Sequence, residues 1–334
     1  MTQLRLLWSP PTCNGHFQSR CSSSAPGRSC GSCVAAERRS CSPKGVSIRY
    51  RAIRREEIQE AAALFIVAVT DLTKRHGLQP AGYVQAAVEA SYQHLFETGV
   101  FHVAERDGRI VAICAGVVRE QIWFLSMFWV LPDQRVQGLG RPLLEQVTRE
   151  ARDQGATTLC TWSSIDFVAI ASYLRLGMMP LGPILTFSGE LAGRLDLDPA
   201  HSVRDLDARV ASEIDVLVRA AARPQDHAFF RAREGVARQV ELLGKPIGYF
   251  YASQGVVGPA AWLEPQHADA VIRCSLIEAS RQQPKVRLIV PGMNHSAIQL
   301  ALAAGLKLTS TSHLMTSAPF GRLEQYLPSG PALF

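Results

Sequence analysis

The sequence predicts a mixed α/β fold in two related halves behind an unstructured N-terminal tail. Three observations carry that expectation. From Ser47 onward the apolar periodicity switches repeatedly between strand-like alternation and helix-like spacing. A long apolar strand-like run, Ile122 to Leu131, leads through a glycine-containing turn into a helix-period run. The order of runs after residue 247 echoes the order in the first half.

The elements follow in order. Ile48 to Ile53 alternates as a strand, and Ile58, Ala62, Phe65, Val69 and Leu72 share one helical face that Gly77 stops. Tyr83 to Phe96 is a second amphipathic helix. Val100 to Glu105 and Ile110 to Val118 flank Asp107-Gly108, a strong hairpin pattern. After the run from Ile122 come a helix from about Arg141 to Gln154, a strand Thr157 to Trp162, a helix Asp166 to Leu176, and a strand or hairpin Leu181 to Leu191. The polar stretch from Gly193 to Ser202 reads as a linker. Beyond it lie a helix near Asp205, paired strands Ile247 to Ala252 and Val256 to Trp262, a helix Ala268 to Ser280, a strand Val286 to Val290 and a helix Ser296 to Ala304.

The 334 residues carry 35 Lys+Arg against 29 Asp+Glu, a net +6. Residues 1–45 hold six of the basic groups and one acidic group, so the remainder is near neutral and lacks a basic stripe suited to nucleic acid. The tail also holds Cys13, Cys21, Cys30, Cys33 and Cys41. Four of these could be zinc thiolates, but their irregular spacing and Ser/Arg/Gly-rich surroundings favour disorder, or an extension upstream of a start near Val46. Cys114, Cys160 and Cys274 sit in apolar segments, as buried thiols of a reducing, cytoplasmic compartment would. No apolar run is long enough for a membrane helix or a signal peptide, so neither membrane association nor secretion is expected.

The segment Val130-Leu131-Pro132-Asp133-Gln134-Arg135-Val136-Gln137-Gly138-Leu139-Gly140-Arg141-Pro142 holds the chemistry. Proline in a first helical turn gives up an amide that has no partner there. The other orphan amides and the helix dipole then favour an anion, and glycines let the backbone approach it closely. A dinucleotide fingerprint is excluded because Leu143 stands where a third glycine belongs; no Walker lysine follows, and there is no nucleophile elbow.

Arg135, Gly138 and Gly140 match R/Q-x-x-G-x-G/A, and one strand later Asp166, Ala169, Ser172, Tyr173, Gly177 and Met178 partly match N-x-x-A-x-x-F-Y-x-x-x-G-F. On these two motifs the chain resembles the GNAT superfamily of N-acetyltransferases from about Ser47 to Leu191. The resemblance implies acetyl-CoA as co-substrate, with no metal, and an amine acceptor. It places the pantetheine arm against the backbone of Phe128, Trp129 and Val130, and the diphosphate on Arg135 and the amides of Val136, Gln137, Gly138, Leu139, Gly140 and Arg141. Tyr173 would give a proton or hydrogen bond to the departing sulfur. The strand that often bears the family's carboxylate base has only Ser126 as a polar side chain, so Glu120 is the candidate base, with Asp166 and His102 as further options.

In the second half Asn294, Ala297, Leu300, Gly305 and Leu306 keep the second motif's spacing, with Ala301 in place of Tyr173. Ala268, Val271 and Arg273 replace the glycine-loop residues. The chain thus resembles tandem GNAT proteins: two acyl-CoA N-acyltransferase-like domains, 46–193 binding acetyl-CoA and 203–334 degenerate. The expected activity is N-acetylation of a small-molecule or protein amine. A non-catalytic CoA-binding or regulatory module is the alternative.

Overall fold

A computed structural model describes residues 48–78, 82–135 and 137–334, so the tail and its cysteines lie outside the described residues. The first half runs β1 (Ile48–Ala52), α1 (Ile58–Arg75), α2 (Gln85–Thr98), β2 (Val100–Arg106), β3 (Arg109–Arg119), β4 (Ile122–Val130), α3 (Gly140–Asp153), β5 (Thr158–Ser163), α4 (Phe167–Arg175) and β6 (Met179–Gly189). The second runs β7 (His201–Asp205), α5 (Ala208–Arg219), α6 (Pro224–Ala232), β8 (Val236–Leu242), β9 (Lys245–Ser253), β10 (Val256–Trp262), α7 (Ala268–Gln282), β11 (Val286–Pro291), α8 (His295–Ala303), β12 (Lys307–Thr316) and a two-residue β13 (Tyr326–Leu327). The first-half order matches the sequence expectation. In the second half β7 begins inside the expected linker and precedes the helix, and α6, β8, β12 and β13 are additions.

Local rules account for many boundaries. Asp107 and Gly108 both take positive φ between β2 and β3, the conformation a two-residue hairpin turn needs. Asp166 accepts from the amides of Val168 and Ala169 and so caps α4; Asp207 and Asn294 do the same for α5 and α8. On α3, Leu143, Leu144, Val147 and Ala151 are buried while Arg141 and Glu145 pair in solvent.

All strands join one sheet, ordered β1-β2-β3-β4-β5-β12-β6-β11-β10-β9-β8-β7, with β13 attached to β10. The last strands of the two halves are exchanged. β12 from the second half pairs with β5 of the first, and β6 from the first pairs with β11 of the second. β6 and β12 lie antiparallel at the centre, so both halves belong to one unit, Val46–Phe334.

One buried ionic cluster reinforces this union, and a second lies within the second half. Asp226 on α6 accepts from Arg119 at the end of β3 (2.9 and 2.5 Å) and lies 2.7 Å from His94 Nε2 on α2. Within the second half, Asp215 accepts from Arg223 (2.7 Å), Tyr249 (2.5 Å) and His227 Nε2 (2.9 Å), while Tyr251 lies 2.9 Å from His227 Nδ1. Burial alone would raise both carboxyl pKa values, but the facing cations and hydrogen bonds outweigh it and hold both well below the usual range. Burial likewise lowers His227, against the pull of Asp215.

The pH dependence follows from these directions. A depressed Asp adds stability above its unfolded pKa and loses it as pH falls toward the folded value; a depressed His is penalised once the unfolded state protonates. Tm is therefore expected to be level above about pH 7, to decline gently below about pH 6.5 and steeply below about pH 4. A melting series across that range checks this, and a Tm that rises on acidification would contradict it.

Candidate active site

β4 and β5 run parallel but pair only from Ile122 and Thr158 to Leu125 and Thr161. Thr161 Oγ1 donates to the Leu125 carbonyl (3.0 Å), closing the ladder at its last rung. At the next residue β4 bulges: the register with β3 steps from Gly116 opposite Leu125 to Ala115 opposite Met127, leaving Ser126 extra. Its hydroxyl is buried with no partner among the described residues. Beyond it Met127 to Val130 stay paired to β3, while their other edge, toward β5, has no strand partner among the described residues. Phe128, Trp129 and Val130 lie on this open edge, which can take an extended, amide-bearing ligand as a strand takes its neighbour.

The glycine loop stands at the end of that edge. Gly138 has φ +74°, and no described atom comes within 4 Å of where a Cβ would be. Leu139 occupies the N-cap of α3 and provides no side-chain acceptor, so the first-turn amides keep no protein partner of that kind. At Gly140 a Cβ would stand 2.8 Å from Phe128 Cζ and 3.4 Å from Val130 Cγ2, so glycine lets the helix end abut the open edge. Arg106 braces the loop by donating to Gln134 and Gln137, both at 2.5 Å, and Tyr50 donates to the Leu139 carbonyl (3.2 Å). Val136 is outside the described residues, and Arg141 is exposed, paired with Glu145.

Arg135 donates to Asp71 on α1, Asp71 also accepts from Arg75 (2.9 Å), and Arg75 reaches Asp166 at the cap of α4 (3.2 Å). Burial opposes the Asp71 charge, but Arg135 and Arg75 prevail and lower its pKa. This relay ties the loop to the helix that carries Tyr173. Sequence reasoning missed Asp71 and Arg75, which have no local pattern of their own.

Tyr173 packs edge-on to Phe128 with ring centroids 6.4 Å apart. Its hydroxyl has no hydrogen-bond partner among the described residues. Burial, with smaller contributions from Cys114 and Asp166, pushes its pKa well up, so the phenol stays protonated and has a proton to donate.

The three candidate bases fall elsewhere. Glu120 sits at the β3–β4 turn with φ +51°, its carboxylate accepting the Ala222 amide from the second half (2.9 Å). Six residues of strand, roughly 20 Å, separate it from Ser126, so the structure corrects its assignment as base. Asp166 is a helix cap held by Arg75. His102 faces α3, held by Glu150 (2.7 Å) and Gln146 (3.1 Å).

The equivalent place in the second half is closed. Ala268 and Val271 lie within α7, which starts directly after a single turn with no glycine loop. β10 pairs with β11 only at Val256 and Val257. Its remaining edge on that side is taken by β13, with Ala260 opposite Leu327 and Ala261 opposite Tyr326. Asn294 (to Tyr326 O, 3.2 Å) and Gln325 (to Trp262 O, 2.9 Å) fasten the segment, and Tyr326 and Leu327 are fully buried. Among the described residues no group of three or more His, Cys, Asp or Glu is arranged to hold a metal, and no helix is long and apolar enough to cross a membrane.

Comparison with known proteins agrees with this geometry. Residues 63–178 match the model of the Acetyltransferase (GNAT) family, a span that contains α2, β4, the loop, α3 and Tyr173. No curated protein matches the chain. Among solved structures it is similar to a candidate acetyltransferase from Pyrococcus horikoshii (14% identity, TM-score 0.70, covering 86% of this chain and 96% of that one). It is also similar to a tandem GNAT protein from the clavulanic acid biosynthesis pathway (16%, 0.58, 82% and 99%) and to a GCN5-related N-acetyltransferase from Sphaerobacter thermophilus (15%, 0.60, 83% and 98%). These likenesses are of fold, and they extend over both halves. Residues 63–178 thus match the GNAT acetyltransferase family model, and the chain as a whole has the fold of tandem GNAT proteins.

Proposed function

We propose that the first half transfers an acetyl group from acetyl-CoA to an amine of a small molecule or protein. The observation that carries this reading is the parting of β4 from β5 after Leu125, which leaves an open strand edge that ends at an uncapped helix N-terminus. Bound there, the thioester supplies the activated acyl carbon. The edge from Phe128 to Val130 pairs with the pantetheine amides. The amides from Val136 to Arg141, with Arg135, hold the diphosphate. A backbone N–H of the edge stabilises charge on the thioester oxygen, and Tyr173 donates to the sulfur as it leaves.

The second half, 203–334, binds no CoA in this reading, because β13 fills its groove and α7 lacks the loop; it serves as a partner to 46–193. The three buried body thiols, with Cys160 and Cys274 pushed up to about 12 by burial, fit a reducing compartment such as the cytoplasm. One observation favours a second reading, a CoA-binding module without turnover: the carboxylate of Glu120 is committed to Ala222, away from the open edge.

Isothermal titration is expected to give one acetyl-CoA per chain, with CoA released in the presence of a suitable amine from a broad panel. Tyr173→Phe should lower kcat about a hundredfold and leave acetyl-CoA affinity within about twofold. Binding without release over the whole panel would establish the module instead, and absence of binding would remove both readings.

A further inference from the structure

Among the described residues Ser126 has the one serine or threonine hydroxyl that is buried with no hydrogen-bond partner. Hydroxyl groups on the neighbouring strands β5 and β12 are engaged. Thr161 Oγ1 donates to the Leu125 carbonyl (3.0 Å), Ser163 Oγ to the Ser164 carbonyl (2.9 Å) and Thr316 Oγ1 to the Ala318 carbonyl (2.6 Å), while Ser312 accepts from the Trp162 ring N–H. A buried hydroxyl without a partner weakens a fold, and native interiors hold few of them. Ser126 thus gives the fold nothing that alanine would not give.

Its position is where β4 becomes available to a ligand. The last rung to β5 joins Leu125 to Thr161, and Ser126 is the extra residue of the bulge that follows. Ile122 to Leu125 are buried, Ser126 is the first residue of the strand that is not, and Met127 is buried again. A bulge re-aims a side chain in this way. With no protein acceptor to hold it, Oγ turns among its three staggered χ1 positions without breaking a bond. Leu125 and Met127 on either side are 2% and 5% exposed, so a hydrogen bond made here lies in apolar surroundings, where it is stronger than in water. Tyr173 meets the strand two residues on, at Phe128, roughly 7 Å along the same edge. A thioester at the inner end of a pantetheine arm paired with Phe128 to Val130 falls between these two hydroxyl groups. A neutral alcohol is too weak a base to take the proton of an ammonium, but it is an effective donor to an oxygen that gains negative charge.

We infer that the Ser126 hydroxyl is a catalytic group that donates a hydrogen bond to the thioester carbonyl oxygen of acetyl-CoA, beside the backbone N–H of the open edge; the inference rests on the transferase reading of the first half. As the amine nitrogen bonds to the acyl carbon, the carbonyl electron pair moves onto that oxygen, and Ser126 stabilises it there. The pair then returns, the C–S bond breaks, and the sulfur leaves with the Tyr173 proton. The proton that nitrogen loses passes to water, which restores the phenol, so the products are the amide and CoA.

The test is isotope-edited infrared spectroscopy of acetyl-CoA, labelled with heavy carbon at the thioester carbonyl and bound to the full chain, with Tm measured alongside. Ser126→Ala should raise the bound carbonyl stretch, keep acetyl-CoA affinity within about twofold and leave Tm at or above the parent value. Ser126→Cys, a weaker donor, should give a stretch between the two. With any amine of the panel that releases CoA, Ser126→Ala should lower kcat about a hundredfold. The same stretch in parent and Ser126→Ala, or a Tm that falls in Ser126→Ala because the hydroxyl serves the fold, would overturn the inference and leave the transferase reading in place. Failure of the parent to bind acetyl-CoA, or binding with no CoA release over the whole panel, would instead remove the transferase reading and the inference with it.

Discussion

Gly138→Glu is expected to weaken acetyl-CoA binding at least a hundredfold while leaving the protein folded. Gly138 holds φ +74°, a conformation that costs an L-residue about 1–2 kcal/mol. No described atom lies within 4 Å of the new Cβ, so the fold has room for the side chain and loses only that strain. The larger effect is electrostatic. A carboxylate about 5 Å from a diphosphate charge at an effective dielectric near 20 costs about 3 kcal/mol, a factor above one hundred in Kd. Gly138→Ala separates the two contributions, since it carries the strain alone and should cost tenfold or less. Isothermal titration with circular dichroism on both variants checks this; Gly138→Glu binding as tightly as the parent would mean that the diphosphate lies elsewhere.

The second large effect concerns stability. Asp226→Ala removes the shared partner of Arg119 and His94, whose side chains are 4% and 7% exposed, and strands a guanidinium in the interior. Loss of one member of a buried ion pair typically costs about 3–5 kcal/mol, mostly the burden of the charge left behind. Because Arg119 and His94 belong to the first half and Asp226 to the second, the cost falls on the joint between them. Guanidinium unfolding of Asp226→Ala should therefore show a lower midpoint and a loss of single-step behaviour. Combining Arg119→Met with Asp226→Leu removes both charges and should recover much of the loss. A double variant as unstable as the sum of its parts would refute this account of the joint.

Much of the first half was legible because its determinants are local. Asp107-Gly108 defines a hairpin by its own backbone preferences, and Arg135, Gly138 and Gly140 mark the loop because each acts through its own backbone or charge. The exchange of β6 and β12 had no such marker. Which strand lies beside β5 depends on edges brought together over some 150 residues, and Leu181 to Leu191 reads the same whether it folds back or crosses over. Distance also hid the role of Glu120. Its place before β4 in sequence suggested the reacting end of that strand, but the strand parts from β5 at the opposite end. The closure of the second groove by β13 was equally unreadable, since Tyr326 and Leu327 make a strand only by finding the edge of β10.

The strand exchange also bears on ancestry. Read outward from the antiparallel β6 and β12, the sheet repeats the same series of five strands on each side. A single-domain ancestor that traded its last strand with a twin would make this sheet as a symmetric homodimer, and joining the two copies in one gene would preserve it. On the proposed function, only one copy then needed to keep its groove for CoA. The other was free to plug its own with a terminal segment and diverge, while the traded strands kept it from being lost.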